Sequence, residues 1–166
     1  SGLLKPESGS FFINGKELSS LPKNWHNNIS YIPQNISLID DTLERNIALA
    51  VNEQDIDKNK IDEVIRLSKL SKFAQSKTKD HNLGERGLQV SGGEKQRIGI
   101  ARALYYNREI YIFDEATNAL DNKTEQNVIK SIEEADEKTT ILMIAHRITT
   151  LKNCNKIIEL NSENNL

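Results

Sequence analysis

The 166 residues are enough for one domain with a sizeable core, or a large part of one, and too few for two ordinary domains. A hydrophobic fraction of 37% and a charged fraction of 28% exclude a disordered composition, and a net charge of -2 excludes a domain-wide basic surface for nucleic acid. Cys154 is the only cysteine, which excludes an intrachain disulfide and a thiolate zinc site and fits a cytosolic setting; the longest apolar runs, such as Thr140 to Ala145, are far too short to span a bilayer.

Ser1-Gly2-Leu3-Leu4-Lys5-Pro6 has neither an initiator Met nor a signal-peptide layout, and reads as a start inside a larger protein. Gly9 to Leu18 predicts a hairpin: Phe11, Phe12 and Ile13 form a strand, Asn14-Gly15 makes the turn, and Lys16 to Leu18 return. Gly15-Lys16 mimics the end of a phosphate-binding Gly-x-x-x-x-Gly-Lys-Ser/Thr loop. Ser10 and Glu17 stand where that loop needs its first Gly and its hydroxyl, so the match is rejected.

Ile29 to Ile32 reads as a strand stopped by Pro33, with Gln34 opening a loop. Thr42 to Ala48 predicts a short helix, and Asp55 to Phe73 a longer one with Ile61, Val64, Ile65, Leu67 and Leu70 at helical spacing. His81 to Gln89 is a Gly-punctuated loop. A long helix is expected from about Gly92 to Tyr106, then a buried strand from Ile110 to Asp114. Asp121 is placed to cap the next helix, whose buried stripe is Val128, Ile129, Ile132 and Ala135. Thr140 to Ala145 follows as a buried strand, Arg147 to Leu151 as a short helix and Lys156 to Leu160 as a last strand, before a polar tail from Asn161 to Leu166. Strands alternating with helices imply an α/β fold with a mostly parallel sheet and flanking helices.

Two places carry chemistry. Ser91-Gly92-Gly93-Glu94 satisfies the capping-box pattern, which alone explains the Ser and the Glu. A cap does not need two glycines, each of which disfavours a helix by about 1 kcal/mol relative to Ala. Close approach of the backbone to an anion at the helix start gives them a reason. Asp114-Glu115 ends an apolar strand with a hard oxygen ligand for magnesium and a candidate base for water. His146 follows the Thr140 to Ala145 strand and Gln34 follows the Ile29 strand. Both therefore belong at the carboxyl edge of the sheet, where ligands bind in open α/β folds. His26 and His81 have no ligand spacing and read as surface residues, and no zinc-protease helix, catalytic-triad order or dinucleotide-binding glycine motif is present.

In this order and spacing these features resemble the nucleotide-binding domain of ABC transporters, most of all the exporter type. Val90 to Arg97 is similar to the ABC signature, with Val90 for the usual Leu and Glu94 for the usual Gln. Ile110 to Asp114 resembles the Walker B strand with Glu115 as its catalytic acid. Asn118-Ala119-Leu120-Asp121 resembles the D-loop, with Asn118 for the commoner Ser. Gln34 falls at the Q-loop, His146 at the switch histidine, and Asn82 to Gly87 at the exporter loop that touches the membrane domain.

The resemblance implies a P-loop NTPase-like ABC ATPase that is incomplete at its N-terminus, because the Walker A loop precedes a segment similar to Leu3-Leu4-Lys5-Pro6-Glu7-Ser8-Gly9. Residues 1–34 and 107–166 would be core sheet and about 35–106 a helical subdomain. It also implies ATP and Mg2+ as cofactors, with Asp114 and Gln34 toward the metal, Glu115 and His146 catalytic, and Ser91, Gly92, Gly93, Glu94 and Asp121 on nucleotide. The partners implied are a second nucleotide-binding domain, head to tail, and a transmembrane domain met through the Gln34 loop and the Gly84 to Gly87 loop, on the cytoplasmic face of the membrane. Without a Walker A loop the chain is expected to be inactive alone, and to self-associate or rearrange through exposed apolar surface. A soluble ABC-type ATPase of translation or DNA repair, or a non-catalytic assembly module, is the alternative.

Overall fold

Gly15, at φ 75°, supplies the left-handed backbone that lets β1 (Phe11–Ile13) turn back on β2 (Lys16–Leu18), and the two pair antiparallel with Phe11 opposite Leu18. The computed structural model describes residues 8–13, 15–18, 24–76, 82–84, 90–118, 120–135, 139–145, 151 and 154–159. After the hairpin and a 3-10 turn at Trp25–Asn28 comes β3 (Ile29–Ile32), the first strand of a second sheet.

Among the described residues that sheet has three parallel strands in the order β3, β4 (Ile110–Asp114) and β5 (Thr140–Ile144). Between β3 and β4 the chain builds a helical layer: α1 (Leu43–Ile47), α2 (Lys58–Leu67), α3 (Ser71–Ser76) and α4 (Gly92–Tyr106). A further helix, α5 (Asn122–Ala135), crosses from β4 to β5. This is the α/β architecture expected, a parallel sheet with flanking helices.

The centre of the packing is α4. Ile98, Gly99, Ile100 and Ala101 are buried in succession, so this helix is enclosed on more than one face and meets α1, α2 and β3. Ile98 and Ile100 are fully buried, and each contributes about 1.5–3 kcal/mol of transfer free energy. Ser30 on β3 ties the sheet to α4 through its hydroxyl, which donates to the Ala103 carbonyl at 3.2 Å. α4 ends where Asn107 takes the left-handed conformation at φ 46°.

One face of the sheet carries the core. Ser30 and Ile32, then Tyr111 and Phe113, are buried, with Ile141 and Met143 packed beside them. Alternation puts Tyr31, Ile112 and Leu142 in one row on the other face, and there Tyr31 is 51% and Leu142 52% exposed.

Two expectations need correction. The single helix from Asp55 to Phe73 is divided into α2 and α3, with a separate 3-10 turn at Glu53–Asp55. Ser68 causes the break locally: its hydroxyl donates back to the Val64 carbonyl at 2.7 Å, and Lys69 then turns left-handed at φ 58°. Lys156 to Glu159 forms no strand; Ile157 and Ile158 are 60% and 69% exposed, without the sheet neighbour that a buried strand requires. The helix expected at Arg147 to Leu151 lies outside the described residues apart from Leu151.

Candidate functional site

The parallel register brings the carboxyl ends of all three strands to one edge, with Ile32 beside Phe113 and Asp114 beside Ile144. Asp114 ends β4 half-buried, and the Tyr31 hydroxyl donates to its Oδ2 at 2.6 Å. That hydrogen bond, then partial desolvation and the negative charge of Asp114, push the Tyr31 phenol above its ordinary value of 10.0.

Glu115 leaves the strand with φ 50°, a left-handed backbone that costs a non-glycine residue about 1–3 kcal/mol. The surroundings hold it there. Its N–H donates to the Ile144 carbonyl at 3.0 Å, and the turn that follows is anchored by buried Ala116, Thr117 and Leu120. The Glu115 carboxylate accepts two side-chain amides on one oxygen, Oε2: Gln34 Nε2 at 2.9 Å and Asn118 Nδ2 at 2.9 Å. Strain kept at a chosen carboxylate is a pattern of functional sites.

The loop after Gln34 is fixed to α4. Arg102 donates from Nε to the Asn46 carbonyl at 2.9 Å and from Nη2 to the Ser37 carbonyl at 3.2 Å, and burial pushes its guanidinium below its ordinary value. Asn46, fully buried, accepts from the Ile39 N–H at 3.0 Å and donates to the Ile39, Asp41 and Thr42 carbonyls. Satisfied this way, a buried amide acts as a rigid bracket for the loop.

At the start of α4 the capping box is complete. Glu94 N–H donates to Ser91 Oγ at 3.3 Å, while Glu94 Oε2 accepts from Ser91 N at 2.9 Å and Ser91 Oγ at 2.6 Å. Gly92 and Gly93 form the first turn, whose N–H groups have no intrahelical acceptors, so the helix presents its positive end there. Asp121 caps α5: Oδ1 accepts from Thr124 N at 2.9 Å and Oδ2 from Thr124 Oγ1 at 2.6 Å. The Thr124 hydroxyl first, and its backbone N–H second, hold the Asp121 carboxyl below its ordinary value.

Of the residues singled out from sequence, Gln34, Asp114 and Glu115 gather at one edge. Ser91 and Glu94 bond to each other at the head of α4, and Asp121 serves as a cap. His146 lies outside the described residues, as do residues 85–87 of the loop ahead of α4; Gly84 is described, with φ 82°. Sequence reasoning did not assign Tyr31, Asn46 or Arg102 to the site. A cation inside the buried run from Ile98 to Leu104 was the available signal for Arg102. An open groove of about 870 Å³, lined by residues that include Arg45, Val51, Glu53 and Lys58, contains none of the candidate site residues.

The donor set fits magnesium. Among the described residues no group of three or more His, Cys, Asp or Glu side chains could hold a metal ion. Magnesium does not need one, since it commonly takes one or two carboxylates and completes its shell with water and phosphate oxygens. Asp114, at the end of β4, supplies one such carboxylate. No helix among the described residues is long and apolar enough to cross a membrane.

A parallel sheet flanked by helices, with two acids at the end of a central strand, places the chain in the P-loop NTPase-like α/β class. The chain belongs to the ABC transporter family, whose family model matches residues 1–118. It is 35% identical over 153 residues to the ATP-dependent lipid A-core flippase of Francisella novicida, covering 90% of this chain and 26% of that protein. It is 39% identical over 160 residues to the mitochondrial iron-sulfur clusters transporter ATM1 of Debaryomyces hansenii, covering 93% of this chain and 23% of that one. Among solved structures it is similar to a bacterial Atm1-family ABC exporter with ATP bound, with a TM-score of 0.79 and 33% identity over 89% of this chain and 26% of the other. The chain thus spans about a quarter of the length of the curated relatives it matches.

Proposed function

We propose that this chain is the ATP-binding and ATP-hydrolysing part of an ABC exporter, powering transmembrane export through a head-to-tail sandwich of two such domains around ATP. The observation that carries the reading is the meeting of Gln34 and Glu115, 2.9 Å apart across the carboxyl edge of the sheet, beside Asp114. In this reading residues 1–34 and 107–166 are the ATPase core and about 35–106 the helical subdomain. Relatives named as an ATP-dependent flippase and a transporter support the transport side.

Asp114 and Gln34 would hold magnesium, which would supply neutralising charge to the phosphates when bound. Glu115 orients the attacking water and takes its proton through Oε1, in a direction that the two amides on Oε2 fix. His146 is assigned to the γ-phosphate from the sequence pattern alone. Ser91, Gly92, Gly93 and Glu94 offer the positive end of α4 to the nucleotide of the partner domain, and Asp121 stands at the same interface. The Gln34 loop and the Gly84 to Gly87 loop meet the transmembrane domain at the cytoplasmic face. Because the 166 residues contain no Gly-x-x-x-x-Gly-Lys-Ser/Thr loop to grip the β- and γ-phosphates, this chain alone turns over no ATP.

Phosphate release in the complete transporter assembly tests this. ATP-dependent turnover is expected, and its loss in Glu115→Gln; retention of full turnover in that variant overturns the assignment of the base. Turnover by the 166-residue chain alone, abolished by the same substitution, overturns its inactivity.

A further inference from the structure

Asn118 departs from the Ser that is commoner at its place, and the structure gives the departure a use. We infer that Asn118 is a positioning residue for Glu115, fixing with Gln34 one oxygen of the carboxylate. The inference rests on the reading of Glu115 as the base.

Three observations carry it. The Asn118 and Gln34 amides come from separate segments, the turn after β4 and the loop after β3, yet both donate to Glu115 Oε2 at 2.9 Å. Amide N–H groups only donate, so neither bond can reverse, and together they select one orientation of the carboxylate. The distance between Asn118 and Glu115 is set by the backbone: Asn118 N–H donates to the Glu115 carbonyl at 3.2 Å, and buried Ala116 and Thr117 hold the turn between them. Finally, Glu115 has a left-handed backbone, so its side chain leaves the strand in a direction that the strand does not dictate and that must be set from outside. A serine hydroxyl sits on a stem one bond shorter and can accept as well as donate, so it imposes less.

A plain turn-forming role for Asn118 makes different demands. Asn, Asp and Gly all suit turns, so Asn118→Asp and Asn118→Gly would then be tolerated. For positioning, Asp keeps the shape but replaces the donor with a second carboxylate against Glu115, and Gly removes the arm.

The test compares kcat, KM for ATP, equilibrium ATP affinity and Tm in the complete assembly for the native protein and for Asn118→Asp, Asn118→Gly, Asn118→Ser and Glu115→Gln. For Asn118→Asp and Asn118→Gly, kcat is expected to fall about tenfold or more while KM and ATP affinity stay within about twofold and Tm holds. Asn118→Ser, keeping one donor on a shorter stem, is expected to fall between these and the native protein. Native kcat in Asn118→Asp or Asn118→Gly overturns the inference, and so does a loss that ATP affinity or Tm follows equally. If Glu115→Gln abolishes turnover while those two variants keep theirs, only the role of Asn118 fails. If Glu115→Gln keeps full turnover, the reading of the base fails and the inference with it.

Discussion

The side chain of Ile36 occupies the space that a β-carbon on Gly99 would need: an ideal Cβ there would lie 2.4 Å from Ile36 Cδ1 and 2.8 Å from its Cγ1. The loop that follows Gln34 is therefore seated in a notch on the helix whose first turn carries Ser91, Gly92 and Gly93. Ile36 fills the notch, and Arg102 clamps the same loop by the Ser37 carbonyl.

Gly99→Ala tests the notch through non-additivity. In a helix interior Ala is favoured over Gly by about 1 kcal/mol, whereas overpacking costs about 1–3 kcal/mol. With Ile36 present the substitution is expected to be neutral or destabilising; in an Ile36→Ala background it should stabilise by about 1 kcal/mol. Urea unfolding of the four proteins measures the difference. The same effect in both backgrounds would show that Ile36 does not fill the notch.

Asp121 gives α5 an acid-sensitive start. Its folded-state carboxyl is held below the ordinary 3.8 by the Thr124 hydroxyl and backbone N–H, so the folded state favours the ionised form. The contribution to stability is fully present above that ordinary value and is lost as the pH falls below it, through the folded-state pKa. Asp121→Asn, which still caps but does not titrate, should flatten this part of the acid limb in thermal melts at pH 2 to 5. An unchanged pH dependence in the variant would remove Asp121 from the acid response.

The exposed apolar side chains of the sheet predict association. Tyr31, Leu142 and Ile144 are 51%, 52% and 49% exposed on one face of the parallel sheet, and exposed apolar side chains that share a face favour association. In dilute solution the 166-residue chain should bind an apolar dye and grow in light scattering with concentration. Leu142→Thr keeps strand propensity on an exposed site, with a stability change within about 0.5 kcal/mol, and should lower both signals. A native chain that is monomeric and silent toward the dye contradicts the prediction.

The elements with strong local rules were legible in the sequence. Ser91 and Glu94 mark the start of α4 by a capping box, Asn14-Gly15 marks the hairpin, and the apolar run to Asp114 gives β4 its length. The meeting of Gln34 with Glu115 was legible only as a shared sheet edge, because strand order fixes which ends coincide but not which side chains touch. What stayed hidden is decided by tertiary partners. Asn46 reads as an ordinary polar residue in a short helix, and only the folded loop shows its amide meeting the Ile39, Asp41 and Thr42 backbone. The α2–α3 break was missed because apolar spacing continues through Ser68 and Lys69 while the backbone does not. Ile157 and Ile158 have strand propensity without a ladder, and propensity alone does not order a strand.

The left-handed backbone of Glu115 sets folding against use. Glycine would sit at that position without strain, so a lineage selected only for abundance and heat tolerance could discard this carboxylate early and fold better for it. A glutamate there carries that backbone cost for the carboxylate it places at the end of β4. Among relatives of this chain, the residue at this one position should separate working motors from domains kept only as scaffolding.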